Sequence, residues 1–497
     1  LKIFGGLLTQ LHATKHGARS VGNTDYDKMI IFSLIWGIAG SYAIDERMKF
    51  QDFLKNIKEE KLPLPPNLNN EVTLFDYQLV YDEKGVDWKV FQLEKWKPPK
   101  VIYFSRLLMP TLDSTRAEYL TEMIMNSNSS VLLVGEPGTA KTASLLMYAN
   151  KFDKEKMLLH RINFSSATLP FHFQTSIESV CETKVRKGFG PKDGKLMTVF
   201  IDDLSMPEKN TWGDQVTLEI VRELIEDSGF YRLEKNERGN FKYIENLRYT
   251  AAMNQPGGGR NDIPNRLKHH FVIMNMILPS KIDVIYNPIL YGIFGNISEI
   301  KESKILESIC NVTLKVFNDI KQELLPTPSK FHYLFNLRDV SRIFKGMCQI
   351  KPETINQFCG PSKAYKHDLF MVTLWKHECE RVFLDKLVNE VDKQRAMSKI
   401  TAHCAEAFSF LKDYPEFWTK SCYFLDLMKA PTCEEEMGDG MPDPLYEPVE
   451  DIEKIRTKAI LLLKKYNEDV PQKKMDLVLF NDALLHLLKV SRIIQMP

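Results

Sequence analysis

The stretch LLVGEPGTAKTASLL, residues 132–146, decides how the rest of the chain is read. A short apolar run, SVLLVG, leads into it, and the helix-forming ASLLMYANKF leads away. Strand, glycine-bearing loop and helix in that order make a phosphate-binding loop. Backbone NH groups surround phosphate oxygens, a lysine approaches the β and γ phosphates, and a hydroxyl holds magnesium. Gly135, Glu136, Pro137, Gly138, Thr139, Ala140, Lys141, Thr142 and Ala143 are the candidate contacts, Lys141 on phosphate and Thr142 on the metal. Ala140 stands where the usual pattern has a glycine. If its position demands positive φ, the Cβ costs about 1–2 kcal/mol, which binding tolerates more readily than close phosphate approach.

Outward from the loop, the runs VLLVG, MLLHRINF, LMTVFIDD and YTAAMN have the length and apolar character of buried parallel strands. The expected fold is α/β, a parallel sheet with flanking helices, followed from about residue 280 by an almost wholly helical lid. LMTVFIDD ends in two carboxylates, which puts Asp202 beside the loop to assist magnesium through its water shell. A hydrolase commonly has Glu next, polarising the attacking water; here it is Asp203, one methylene shorter. Base positioning is worth roughly 10² to 10⁴ in rate, so a slow site is expected. The alternative is that Asp203 only caps the following turn.

Asn254 closes YTAAMN, where it orients a water or touches the γ phosphate, or simply forms a turn. Arg266, in QPGGGRNDIPNRLKHHF, is a candidate to reach another molecule's phosphate, or a solvated surface charge. Arg338 opens the helix LRDVSRIFKGM, where it either folds down on the nucleotide or pairs with Asp339.

The whole chain sets bounds on these readings. Its 497 residues exceed one compact core, so several packed units are expected. Hydrophobic residues at 44% and charged residues at 26% are ordinary for globular proteins. Lys plus Arg total 66 against 65 acids, so no overall field draws the chain to nucleic acid or an anionic membrane, and neither is expected as a partner. The eight cysteines include no CxxC pair, and reduced thiols are expected. The apolar run from Met29 to Ile44 is shorter than the roughly 20 residues that span a bilayer and reads as a buried helix. The chain starts at Leu1 without an initiator methionine, which suggests a piece of something longer.

Taken in order, GEPGTAKT, FIDDLSMP, WGDQVTLEIVREL, PGGGRNDIPNRL and PTPSKFHYLFNLRDVSRI resemble the third AAA+ module of dynein heavy chains. The FIDDLSMP and PGGGRNDIP wording is nearer the axonemal members, most like the outer-arm gamma type. The resemblance implies six modules in one polypeptide ring. Residues 1–62 would then be the lid end of the preceding module, 63–100 a connection, 101–280 the large α/β subdomain and 281–431 the helical lid. An acidic linker at 432–450 and a lead-in to the next module at 451–497 would complete it. By the same resemblance Pro110 and Thr111 flank adenine, Asn254 is the first sensor and Arg338 the second. Arg266 faces the neighbouring module's site.

The cofactors implied are ATP or ADP with Mg2+. The partners implied are adjacent AAA+ modules, other heavy, intermediate and light chains, and microtubules through regions outside this chain, in the cytoskeleton of a cilium or flagellum. Ala140 and Asp203 depart from a vigorous hydrolase. The expected function is therefore a regulatory site with slow hydrolysis, whose nucleotide sets the angle between sheet domain and lid. A fully active ATPase module and a structural ring spacer with trapped nucleotide are the alternatives.

Overall fold

The computed structural model describes residues 1–13, 23–57, 62–69, 72–82, 85–93, 96, 104, 107–183, 189–257, 261–277, 283–360, 366–419, 422–429 and 445–495. The chain divides into two compact units, residues 1–96 with 108–280 and residues 97–107 with 281–497.

The first unit is built on a parallel sheet of β1 (Ser130–Gly135), β2 (Met157–Asn163), β3 (Leu196–Asp202), β4 (Leu247–Asn254) and β5 (Phe271–Met276). Their spatial order is β5-β1-β4-β3-β2, with every neighbouring pair parallel. Both faces are covered, so the strands are nearly continuous apolar runs; β3 is buried from Met197 through Asp202. The registers Asn254↔Gly135, Met276↔Gly135 and Asn163↔Asp202 bring the carboxyl ends of all five strands to one edge. Open parallel sheets place their ligands at that edge.

The four apolar runs account for β1 to β4, and β5 is an addition to them. Its sequence, FVIMNM, follows the basic RLKHH and carries Asn275, which blurs its apolar signal. Asn275 is nevertheless satisfied: its Nδ2 donates to the Tyr42 carbonyl at 3.2 Å.

Alternation along β1 sends Val131 and Leu133 to one core and Leu132 to the other. The Leu132 side packs against α3 (Val216–Asp227), through Leu218, Val221 and Leu224. The Val131 side packs against α1 (Leu112–Asn126) and against the N-terminal helices Lys2–Ala13 and Asn23–Ile38, through Leu7, Phe32, Leu120 and Met123. The apolar run at Met29 is thus an ordinary core helix, with Phe32, Ile35 and Trp36 buried. Among the described residues no helix is long and apolar enough to cross a membrane.

Arg47 joins the N-terminal segment to β5. Its guanidinium lies 4.9 Å from the Phe75 ring centre and donates to the carbonyls of Gly40 and Asn275, each at 2.9 Å. Burial lowers its pKa to about 10, and the charge of Arg116 adds to the effect.

The second unit is mainly helical, and three of its helices, α4 (Ile305–Glu323), α5 (Leu337–Met347) and α6 (His367–Cys379), pack together. α6 is enclosed along most of its length, as suits a central helix; Phe370, Val372, Leu374 and Trp375 are all fully enclosed. The Trp375 indole NH donates to Thr313 Oγ1 of α4 at 2.8 Å, so the largest buried side chain has its polar atom satisfied.

Glu378, also on α6, is buried with its charge. It forms an ion pair with Arg492 of α7 (Asn481–Gln495) and accepts from Tyr446 Oη at 2.6 Å. Burial raises its carboxyl pKa while Arg492 opposes the shift. A glycine in α5 makes room for this carboxylate, since a Cβ at Gly346 would collide with it.

Candidate functional site

The loop leaving β1 and entering α2 (Lys141–Asn150) has little space for side chains at its start. A Cβ at Gly135 would lie 2.6 Å from the Met276 carbonyl oxygen and 2.8 Å from Thr139 Oγ1. Gly138 takes φ +87, which favours glycine. Ala140 sits at φ 59, ψ 23, so the residue that departs from the glycine pattern does occupy left-handed backbone. Its carbonyl still starts the helix, accepting from Ser144 N at 2.8 Å and Ser144 Oγ at 3.0 Å.

Lys141 is buried and turned back over the loop. Its Nζ donates to the carbonyls of Gly135 at 3.0 Å and Glu136 at 2.7 Å, and to Asn254 Oδ1 at 3.2 Å. Thr139 closes the same turn through Oγ1 to the Glu136 carbonyl at 2.9 Å. Pro137, which has no NH, and Ala143, in the first turn of α2, complete the stretch without side-chain polar groups.

Thr142 Oγ1 lies 3.1 and 3.0 Å from the two carboxylate oxygens of Asp202, at the end of β3. A hydroxyl and a carboxylate meeting beside a lysine form a hard oxygen donor set that suits Mg2+, which takes one or two protein oxygens and keeps several waters. Thr142 and Asp202 would hold that ion, and Lys141 and the loop NH groups would hold phosphate.

Asp203 follows with φ 55, again left-handed. Asp and Asn are the residues that tolerate this region best after glycine, a physical reason for an acid shorter than Glu at this position. The turn that follows uses the Asp203 backbone, Met206 N donating to its carbonyl at 3.0 Å. Its carboxylate instead receives Asn254 Nδ2 at 3.4 Å. Asn254 thus bridges Lys141 and Asp203.

The first unit therefore gathers the loop, Asp202, Asp203 and Asn254 in one place. Thr111 has a structural task, as N-cap of α1: its Oγ1 accepts from Ser114 N at 3.1 Å, and its NH donates to Ser114 Oγ at 2.8 Å. Pro110 immediately precedes that cap. Arg266, 57% exposed, is held by its own unit through Nε to Glu219 Oε1 at 2.9 Å.

Arg338 belongs to the second unit, exposed at the start of α5, where its NH donates to the Asn336 cap at 2.9 Å. The Asp339 carboxylate is engaged by Asn336 N, Arg342 and Lys386, at 3.1 to 3.3 Å. One neighbour of the loop site was not anticipated from the sequence: Arg161 of β2, whose Nη2 reaches Asp202 Oδ2 at 2.8 Å. The cue available was its place two residues before the end of the strand paired with β3, opposite Phe200.

Comparison with known proteins agrees with this architecture. Residues 96–279 match the P-loop containing dynein motor region, residues 1–92 the dynein heavy chain AAA lid domain, and residues 309–417 the AAA+ lid domain. Dynein axonemal heavy chain 5 of Rattus norvegicus is 37% identical over 503 residues, covering 99% of this chain and 14% of the relative. Dynein gamma chain, flagellar outer arm, of Chlamydomonas reinhardtii is 34% identical, covering all of this chain and 11% of the relative. Dynein axonemal heavy chain 8 of Homo sapiens is 36% identical, over 94% of this chain and 10% of the relative. The chain thus spans a small part of the length of these relatives. With dynein-specific matches on both sides of the phosphate loop and relatives aligned along nearly its whole length, the chain belongs to the dynein heavy-chain family, within the AAA+ part of the motor.

Proposed function

We propose that this segment is the third AAA+ module of an axonemal, outer-arm gamma-type dynein heavy chain, and that it carries a regulatory nucleotide site with slow hydrolysis. The whole heavy chain would be an ATP-driven microtubule motor of the axoneme. Its other modules, associated heavy, intermediate and light chains, and microtubules would be its partners through regions beyond this segment. The observation that carries the reading is the meeting of Lys141, Thr142, Asp202 and Asn254 at the carboxyl edge of the sheet, with a short acid, Asp203, in the position of a general base.

In that arrangement Lys141 would give up the loop carbonyls to hold phosphate, Thr142 and Asp202 would hold the metal, and Asn254 couples the lysine to Asp203. When bound, Mg2+ would supply neutralisation of phosphate charge. Asp203, exposed at a left-handed turn, is a shorter lever on water than Glu, so occupancy of the site rather than its turnover is the output.

The test is single-turnover phosphate release from a motor ring in which only this site keeps its lysine. Release at least about tenfold slower than from the principal motor site is expected; equal rates would overturn the reading. A fully active ATPase is the second reading, favoured by the Asn254–Asp203 contact, which has the form of a water-positioning pair. Under it, Asp203→Asn sharply lowers steady motility, and an unchanged rate removes it.

A further inference from the structure

Asp202 carries more cationic company than a metal-assisting carboxylate needs. Besides the Thr142 hydroxyl, its Oδ2 accepts from Arg161 Nη2 at 2.8 Å. Strand register explains the meeting. Arg161 lies opposite Phe200 on β3, and Asp202 is two residues further along the same face. The guanidinium also sits 5.7 Å from the Phe200 ring centre, which fixes its approach. The Asp202 side chain is 11% exposed and that of Arg161 39% exposed, so the pair is shielded on the acid's side and open on the arginine's.

We infer that Arg161 is a positioning residue that holds Asp202 as an internal counter-ion and competes with Mg2+ for it, raising the Mg2+ concentration at which this site closes on nucleotide. Guanidinium is weakly hydrated and offers a rigid fork of donors to a carboxylate, which gives the competition its strength. It is relieved by displacement. Mg2+ held by Thr142 and, through its water shell, by Asp202 would draw the carboxylate away from Arg161, whose exposed side gives it a path outward. A charge-assisted bond that is partly exposed shifts such an equilibrium by about three- to tenfold. The inference rests on the nucleotide-site reading above, and it gives that site a graded dependence on free Mg2+.

The experiment titrates Mg2+ against the purified chain at fixed fluorescent N-methylanthraniloyl-ATP, comparing wild type with Arg161→Gln, Arg161→Met and Arg161→Lys. Gln and Met remove the charge while Met keeps the packing over Phe200; Lys keeps the charge. The half-saturating Mg2+ is expected to fall by about three- to tenfold in Gln and Met and to stay within about twofold of wild type in Lys. A merely structural arginine would not give this charge-ordered pattern. Unchanged or higher half-saturating Mg2+ in both neutral variants, at unchanged melting temperature, overturns the inference while leaving nucleotide binding intact. Failure of wild type to bind the analogue at any Mg2+ overturns the nucleotide-site reading instead.

Discussion

Replacing Ala140 by glycine tests the conformation of the phosphate loop most directly. In the left-handed region an L residue is strained by about 1–2 kcal/mol, which the change removes. Glycine costs about 0.5–1 kcal/mol more backbone entropy on folding than alanine. The difference leaves a net stabilisation of roughly 0.7 kcal/mol, about a threefold shift in the opening equilibrium of the loop and the start of α2. Native-state hydrogen exchange of the Leu145 and Leu146 amides should slow by about that factor. The backbone already has φ 59 with alanine present, so ATP affinity should stay within about threefold. Exchange that accelerates tenfold would mean the entropy term wins and residue 140 is not strained. A tenfold gain in affinity would mean the methyl group itself obstructs the phosphate. Either result refutes the reasoning.

Three further outcomes are expected. Thr313→Val strands the buried Trp375 indole NH and should lower stability by about 1–3 kcal/mol in urea unfolding. Asp203→Glu places a longer side chain on left-handed backbone and should cost about 1 kcal/mol, so restoring the usual acid brings a measurable loss of stability. Burial, reinforced by Arg381 and Arg492, holds the His377 pKa well below 6.5, so below that pH the unfolded chain binds the extra proton. The stability this lends is complete above about pH 6.5 and declines as pH falls, by at most about 1.4 kcal/mol per pH unit. His377→Phe should flatten that slope; equal slopes between about pH 5 and 6.5 would refute the assignment.

The site was legible in the sequence where local chemistry demands local residues. A loop that cradles phosphate needs Gly135, Gly138, Lys141 and Thr142 within a few positions, and an acid at a strand end is visible as LMTVFIDD. The fold class followed because both faces of a parallel sheet are covered and its strands become unbroken apolar runs. β5 escaped because Asn275 interrupts its run, and that asparagine is satisfied by Tyr42, far away in sequence. Arg161 escaped for a related reason: an arginine within the strand run MLLHRINF shows no role until register sets it opposite Phe200 and within reach of Asp202. Thr111 shows the reverse, a residue matched to the adenine segment whose polar atoms also cap a helix.

The absent side chain at Gly346 has a mechanical consequence. It lets the backbone of α5 rest against the carboxylate of Glu378, with Arg492 gripping that carboxylate from α7. α5 begins at Leu337, next to Arg338, so one rigid rod joins that arginine to a pinned charge a little over two turns away. Rolling the rod by even a small angle would press its spine into the acid and tug on α7, so the segment can pass on a twist without melting any of its helices.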